Sequence, residues 1–274
     1  MTRAGPSQGE NPLQPPSHGP RRKWRGTWLE RDGLLWSPLL ASLRLVAGFT
    51  TRAQGSMAGS RYPLEEQARN RAALAQTLGF PGVARVKQVH GRDVVRVDGP
   101  QARPGSPTGE PWPAGDALWT EGRGVLLGVA AADCVPVLVA DPEGPIGAAH
   151  AGWEGTTKRV AEALVEAMVA GGAVRERLVA SLGPAIGPCC YVIDMERATI
   201  VNERIGEACL RKVNDRIVMD LWAANTAQLR SVGVTRIEMS AVCTLSGGAD
   251  LWSYRGRDPD GMYGTQLGFI GRPS

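Results

Sequence analysis

Three apolar runs follow one another with almost no polar filler: GVLLGVAAADC (124–134), PVLVADPEG (136–144) and IGAAHAG (146–152). Runs this short, apolar at successive positions, suit strands buried on both faces, and such strands belong inside a layered fold. The second run also fits a short helix ending in the Asp141-Pro142 turn. The third is a short strand carrying His150 near its end. Cys134 closes the first run, sixteen positions before His150, in a chain with only three histidines and five cysteines.

Helical and extended patterns alternate irregularly around this block. LRLVAGFTTR (43–52) reads as a strand running into a loop. Pro63 opens a helix to about Leu78, with Leu64, Ala68, Ala72, Ala75 and Leu78 near one face and Gly79 as its stop. In ARVKQVHGRDVVRV (84–97), Val-rich segments flank His90-Gly91, the pattern of two strands and a tight turn. The Pro-, Gly- and Ser-rich stretch 100–115 is loop. The clearest helix is TTKRVAEALVEAMVAGG (156–172): Thr156 caps it, Val160, Leu164, Val165 and Met168 form its stripe, and Gly171-Gly172 ends it. RLVASLGPAIGPCCYVI (177–193) is a strand broken by Gly-Pro pairs. Asp194 caps a helix to about Arg211 and Asp220 another to about Ser231, and Ile237, Met239 and Ala241 alternate as a strand. The expected fold is α/β, one mixed-sheet layered domain over residues 27–274, preceded by a Pro/Gly-rich tail over 1–26.

Composition narrows the function. Net charge is +4, with no dense basic stripe interleaved with aromatics, which argues against nucleic-acid binding. The cluster Arg21, Arg22, Lys23 and Arg25 reads as a solvated face of the tail. No apolar run approaches the ~20 residues of a membrane helix and no signal core opens the chain, so a cytoplasmic, membrane-free protein with reduced cysteines is expected. There is no phosphate-cradling G-x-G-x-x-G after a strand and no P-loop.

His90, Cys134 and His150 sit at turns and strand ends, where side chains converge at a sheet edge. Two imidazoles and a thiolate make a three-ligand set for zinc, and a catalytic zinc keeps its fourth position open. The same set occurs in blue-copper centres. A multicopper mechanism needs a trinuclear cluster of many histidines, and only His18 remains, in the tail. Two metal-free readings stand beside these. His90 is then a turn histidine and Cys134 a small buried hydrophobe, or Cys134 is a nucleophile with His150 as its base. Cys189-Cys190 fits packing in a tight turn or the lining of a site, and Arg255, Arg257 and Asp258 fit a solvated face or an anion fork.

KQVHG, ADCVPVLVADP, GAAHAGWEGT, SLGPAIGPCCY and LWSYRGRD occur in the order found in the bacterial laccase-domain family, which this chain resembles from about Thr50 to about Gly268. That family carries the descriptions multicopper polyphenol oxidase and purine nucleoside phosphorylase and includes peptidoglycan editing factors. The resemblance implies a cytotoxic-necrotizing-factor-like α/β fold and a zinc held by His90, Cys134 and His150, with copper the lesser alternative. It implies phosphorolysis of purine nucleosides, including methylthioadenosine, and deamination of adenosine. Nucleoside and phosphate are the partners, with the chain a monomer or homodimer. Deamination would have solvent activated at the metal attack the purine C6 while Asp133 shuttles protons, and Arg52 or Arg255 would orient phosphate beneath the ribose. The alternatives are a cell-wall-precursor amidohydrolase using the same centre, a phenol-oxidising copper enzyme, and a weakened family member. The chain departs from the family pattern at Glu154, where H-A-G-W-R-G is usual, at Tyr263-Gly264-Thr265, where T-G-R is usual, and at Gly256, which interrupts the Arg pair after Ser253-Tyr254. A glutamate for an arginine beside an anion site repels phosphate.

Overall fold

The computed structural model describes residues 27–98, 112–248 and 250–274; the expected tail 1–26 and most of the 100–115 loop lie outside them. One six-stranded sheet has the order β1 (Leu29–Arg31), β2 (Leu34–Trp36), β3 (Val46–Thr50), β15 (Gln266–Arg272), β7 (Val125–Ala131), β4 (Val83–Ala84). A second has the order β14 (Arg236–Met239), β10 (Val179–Leu182), β8 (Val135–Ala140), β9 (Ile146–Ala151), β6 (Ala117–Thr120), β5 (Val94–Arg96). A small third sheet joins β11 (Val192–Ile193), β13 (Arg216–Met219) and β12 (Leu210–Val213). Most pairs are antiparallel; β4–β7, β5–β6 and β10–β14 are parallel, so both large sheets are mixed.

The two large sheets pack face to face between helices. The helices are α1 (Pro38–Ala41), α2 (Leu64–Leu78), α3 (Trp153–Thr157), α4 (Val160–Ala170), α5 (Met195–Ile205) and α6 (Leu221–Ser231). Leu74, Ala75 and Phe80, from α2 and the turn after it, meet Leu126, Leu267 and Phe269 on the outside of the first sheet. Phe49, Leu127 and Val129 meet Leu118, Leu138 and Ala148 between the sheets. Val137 and Ala149 meet Leu164, Val165 and Met168 of α4 outside the second. The alternation along β7 and β8 has period two, as a pleated strand requires. Apolar cover lies on both sides, so both strands are buried at every residue. Gly147 lets α4 approach: a Cβ there would stand 2.8 Å from Leu164 Cδ1.

The mixed α/β class agrees with the sequence expectation, and several elements differ. The segments flanking His90 do not form a hairpin: β4 joins the first sheet and β5 the second, so the His90 loop bridges the two. Thr156 does not cap the long helix. It lies buried in α3, its hydroxyl accepting from Asn225 Nδ2 at 3.0 Å, and α4 starts after Arg159, whose φ is +64°. On α2 the buried residues are Gln67, Leu74 and Ala75, whereas Leu64 is 77% exposed, so the inward stripe is not the expected one. The helix capped by Asp194 stops at Ile205, because Gly206 takes φ +88° and the chain turns toward β12. The hairpin of β1 and β2 was not expected, although Asp32-Gly33, both at positive φ, is its turn. Asp220 caps α6 as expected, accepting from Ala223 N at 3.0 Å.

Candidate metal centre and cavity

The chain crosses from the first sheet to the second between Ala131 and Val135, and Cys134 sits on that crossing. Antiparallel pairing sets Pro136 opposite His150, which brings the end of β9 beside Cys134. Gly152, next along the chain, permits the approach; a Cβ there would fall 2.6 Å from Cys134 Sγ. His90 arrives from the loop between the sheets, in the left-handed region at φ +56°. One ligand atom each from His90, Cys134 and His150 lie within 4.8 Å of one another, and the imidazoles meet edge-on with centroids 5.0 Å apart. Residues distant along the chain thus converge as a group able to hold a metal ion.

Two residues that the sequence reading did not assign to the site hold this arrangement. Asp116 is fully buried. Its Oδ1 accepts from His90 N at 3.0 Å and pairs with His150 Nδ1 at 2.9 Å. Its Oδ2 accepts from Val89 N at 3.0 Å and Gly91 N at 2.6 Å. One carboxylate therefore shapes the His90 turn and orients the His150 ring. The pairing assigns the Nδ1 proton of neutral His150 and leaves Nε2 as the donor atom for an ion, the usual second contact of a ligating histidine. Gln88 clamps the same loop to β7: its amide donates to Ala130 O and accepts from Ala130 N, both at 2.8 Å.

The electrostatics follow from this packing. Burial opposes ionisation of Asp116, but the His150 ring and the Gly91 and Val89 amides outweigh it and hold the carboxyl down at about 2. Burial also opposes the Cys134 thiolate, and His150 and His90 overcome it, bringing the thiol down to about 7. Burial opposes a charge on His150, yet Cys134 and Asp116 push it up to about 10. His90 is raised, chiefly by its hydrogen bond with Cys134. The packing thus shifts Cys134 toward thiolate and His150 toward imidazolium. Two nitrogens and one sulfur fit zinc or copper. The same arrangement also suits a thiol nucleophile with a histidine base.

His90, Cys134 and His150 line a cavity of about 680 Å³, within the ~300–1,000 Å³ of small-molecule sites. Asp133 and Arg255 line it too; Arg52 does not. Asp133 is held on both oxygens, accepting from Thr244 Oγ1 at 2.6 Å and from Arg255 N at 2.9 Å. Burial pushes its carboxyl upward. The Arg255 side chain lies over Tyr191, 5.4 Å from the ring centroid, and donates to Val192 O at 3.0 Å. Arg52 lies over Trp252 at 4.2 Å and donates to Leu251 O at 3.1 Å. Four further cations line the cavity: Arg71, Arg85, Lys87 and Arg197. Burial, with the neighbouring Arg71 charge, lowers Arg85 to about 9. The wall is therefore electropositive despite Glu154, whose carboxylate pairs with Lys158 at 3.3 Å. Lys158 Nζ in turn donates to His90 O at 2.5 Å. Thr265, where the resemblance implied arginine, also lines the cavity, its hydroxyl donating to Ala58 O at 2.9 Å.

Residues 47–273 match the family described as "Multi-copper polyphenol oxidoreductase laccase". The chain belongs to this family. The matched span holds all of His90, Cys134, His150, Asp133, Arg52 and Arg255. Among its relatives, a Deinococcus radiodurans protein named purine nucleoside phosphorylase is 41% identical over 251 residues, covering 86% of this chain and 93% of that protein. A Streptomyces griseus protein, purine nucleoside phosphorylase ORF3, is 42% identical over 189 residues, covering 68% of this chain and 74% of that protein. The crystal structure of YlmD from Geobacillus stearothermophilus superposes with a TM-score of 0.80 at 30% identity, covering 91% of this chain and all of YlmD. No helix among the described residues is long and apolar enough to cross a membrane.

Proposed function

We propose that this laccase-family chain is a zinc-dependent purine nucleoside phosphorylase that also cleaves methylthioadenosine and deaminates adenosine. The observation that carries the reading is the convergence of His90, Cys134 and His150 within 4.8 Å inside an electropositive cavity. Relatives named purine nucleoside phosphorylase support it.

In this reading His90, Cys134 and His150 hold the ion, and Asp116 keeps the His150 proton on Nδ1. A bound zinc supplies Lewis acidity at the reacting atoms. The chain's own groups do the rest. Arg255 binds and orients phosphate from the cavity wall; Arg52, the other candidate, stacks on Trp252 outside the cavity lining. Asp133 carries the proton that adenosine deamination moves, held in place by Thr244 and the Arg255 amide. Trp153 and Tyr191 line the cavity and exclude water around the purine. Glu154 sets the balance between anion and base: its negative charge faces the cavity that phosphate must enter.

Elemental analysis followed by adenosine turnover with and without phosphate tests the reading. Zinc near one equivalent or more and phosphate-dependent release of adenine are expected. His90→Ala and His150→Ala should lose both the ion and the turnover; full retention of both by these variants sinks the proposal. Copper in place of zinc with phenol oxidation, or release of an amide product from a muramyl peptide, would move the assignment elsewhere in the family's range. Glu154→Arg changes the local charge by two units and should strengthen the phosphate dependence. An unchanged response to phosphate would place residue 154 outside the anion site.

A further inference from the structure

Four of the five cysteines are unused by the centre described above, and the fold brings three of them together. Cys189, Cys190 and Cys243 present sulfurs within 4.8 Å of one another. Two local structures cause this. A tight turn after Gly187 folds back on itself, with the amides of Cys190 and Tyr191 both donating to Gly187 O at 2.9 Å. The bridge between Ala185 and Cys243 then lays the third cysteine alongside that turn. Gly187 N donates to Cys243 Sγ at 3.3 Å. Ser246 returns over the sulfurs through a turn closed by Gly247 N to Cys243 O, and its hydroxyl lies 3.4 Å from Cys189 Sγ and 3.3 Å from Cys190 Sγ.

We infer that Cys189, Cys190 and Cys243 form a second metal site, for a thiophilic closed-shell cation, Zn2+ or Cu+. Thiolate sulfur selects these ions over hard cations, which take oxygen. A backbone amide aimed at a sulfur is the outer contact that stabilises a ligating thiolate. The burial pattern supplies a route in: Cys190 and Cys243 are buried, while Cys189 is exposed at the mouth. Ser246 Oγ is placed to serve as a fourth, oxygen ligand. Binding would release thiol protons to solvent, with no change of oxidation state.

The site is independent of the His90–Cys134–His150 centre, and its test separates the two. The full chain, purified under reducing conditions and stripped with a chelator, is titrated anaerobically with Zn2+ against a chromophoric competitor. A parallel series uses Cu+ against a Cu+-selective competitor. Two equivalents of at least one of these ions are expected. Cys189→Ala, at an exposed position, should lose one equivalent and keep the other. Cys134→Ala should also retain one, and with Co2+ it should still show a sulfur-to-cobalt charge-transfer band. A single equivalent in the wild type that vanishes in Cys134→Ala overturns the inference. So does a Cys189→Ala chain that still binds two. A thiol count showing two of these three sulfurs paired as a disulfide in the metal-free protein, with no second equivalent taken up after reduction, would also reject it. A single equivalent in the wild type that survives in Cys134→Ala and is lost in Cys189→Ala would support this site and count instead against the proposed catalytic centre.

Discussion

At the scale of residues, the centre depends most on one aspartate that binds nothing itself. Asp116 accepts four hydrogen bonds, three from the amides of the His90 turn and one from His150. Asp116→Asn keeps the size but loses the charge and adds donors facing donors. Zinc affinity should fall by about 10- to 100-fold, as for other carboxylates that orient a ligating imidazole, read by competition with a chelator. The same variant has a signature in acid. The carboxyl falls from its usual 3.8 to about 2. Its stabilisation is therefore complete above pH 3.8 and is lost as pH falls through about 2. The loss is about 2 kcal/mol, visible as a steeper decline of thermal stability below pH 4 in the metal-free wild type than in Asp116→Asn. Equal slopes would mean that the carboxylate is not held as its hydrogen bonds require. Gly152→Ala probes the same centre from the other side. A Cβ 2.6 Å from Cys134 Sγ must displace the sulfur, so metal uptake should drop while far-UV circular dichroism stays native; undiminished uptake would contradict the close approach.

At the scale of elements, β9 is the strut that carries His150, and α4 is what covers it. Leu164 is fully buried on α4, against the space that Gly147 of β9 leaves open. Leu164→Ala should destabilise the fold by roughly 2–5 kcal/mol through lost burial and a residual cavity. In urea this appears as a lower midpoint with an unchanged slope. Metal stoichiometry in the folded fraction should stay at the wild-type value, because the metal ligands lie at the strand's end and not under the helix. Strand positions were legible here because β7, β8 and β9 are buried on both faces, and an apolar run needs no phase to be recognised. Helix faces and caps were less legible. Gln67 is buried because its amide donates to Gly59 O and Tyr62 O, both at 2.7 Å. Thr156 is claimed by Asn225 of α6, 69 positions away. Such partners cannot be read from periodicity.

At the scale of the whole molecule, the centre lies where two sheets exchange chain. The bonds from Asp116 and Gln88 that place the His90 loop are protein-to-protein, so the site should persist without an ion. Removing metal with a chelator should abolish turnover yet leave the circular dichroism spectrum native. Re-adding zinc at 100 times its Kd should restore about 2.7 kcal/mol of stability by mass action, seen as a rise in Tm. Unfolding on chelation would show that the ion is a structural part of the core.

Local chemistry along the chain announced the buried strands, the Gly79 and Asp220 helix boundaries, and three ligands of two types that suit a soft or borderline metal. The family motifs joined His90, Cys134 and His150 before any geometry was known. Hidden from that reading were the assignment of the His90 flanks to different sheets, the carboxylate of Asp116 behind the centre, and the meeting of Cys189 and Cys190 with Cys243. The reason is the same in each case. Those partners are separated by 23 to 54 positions, and what joins them is strand order and register, which depend on how the two sheets stack and not on any local pattern of residues.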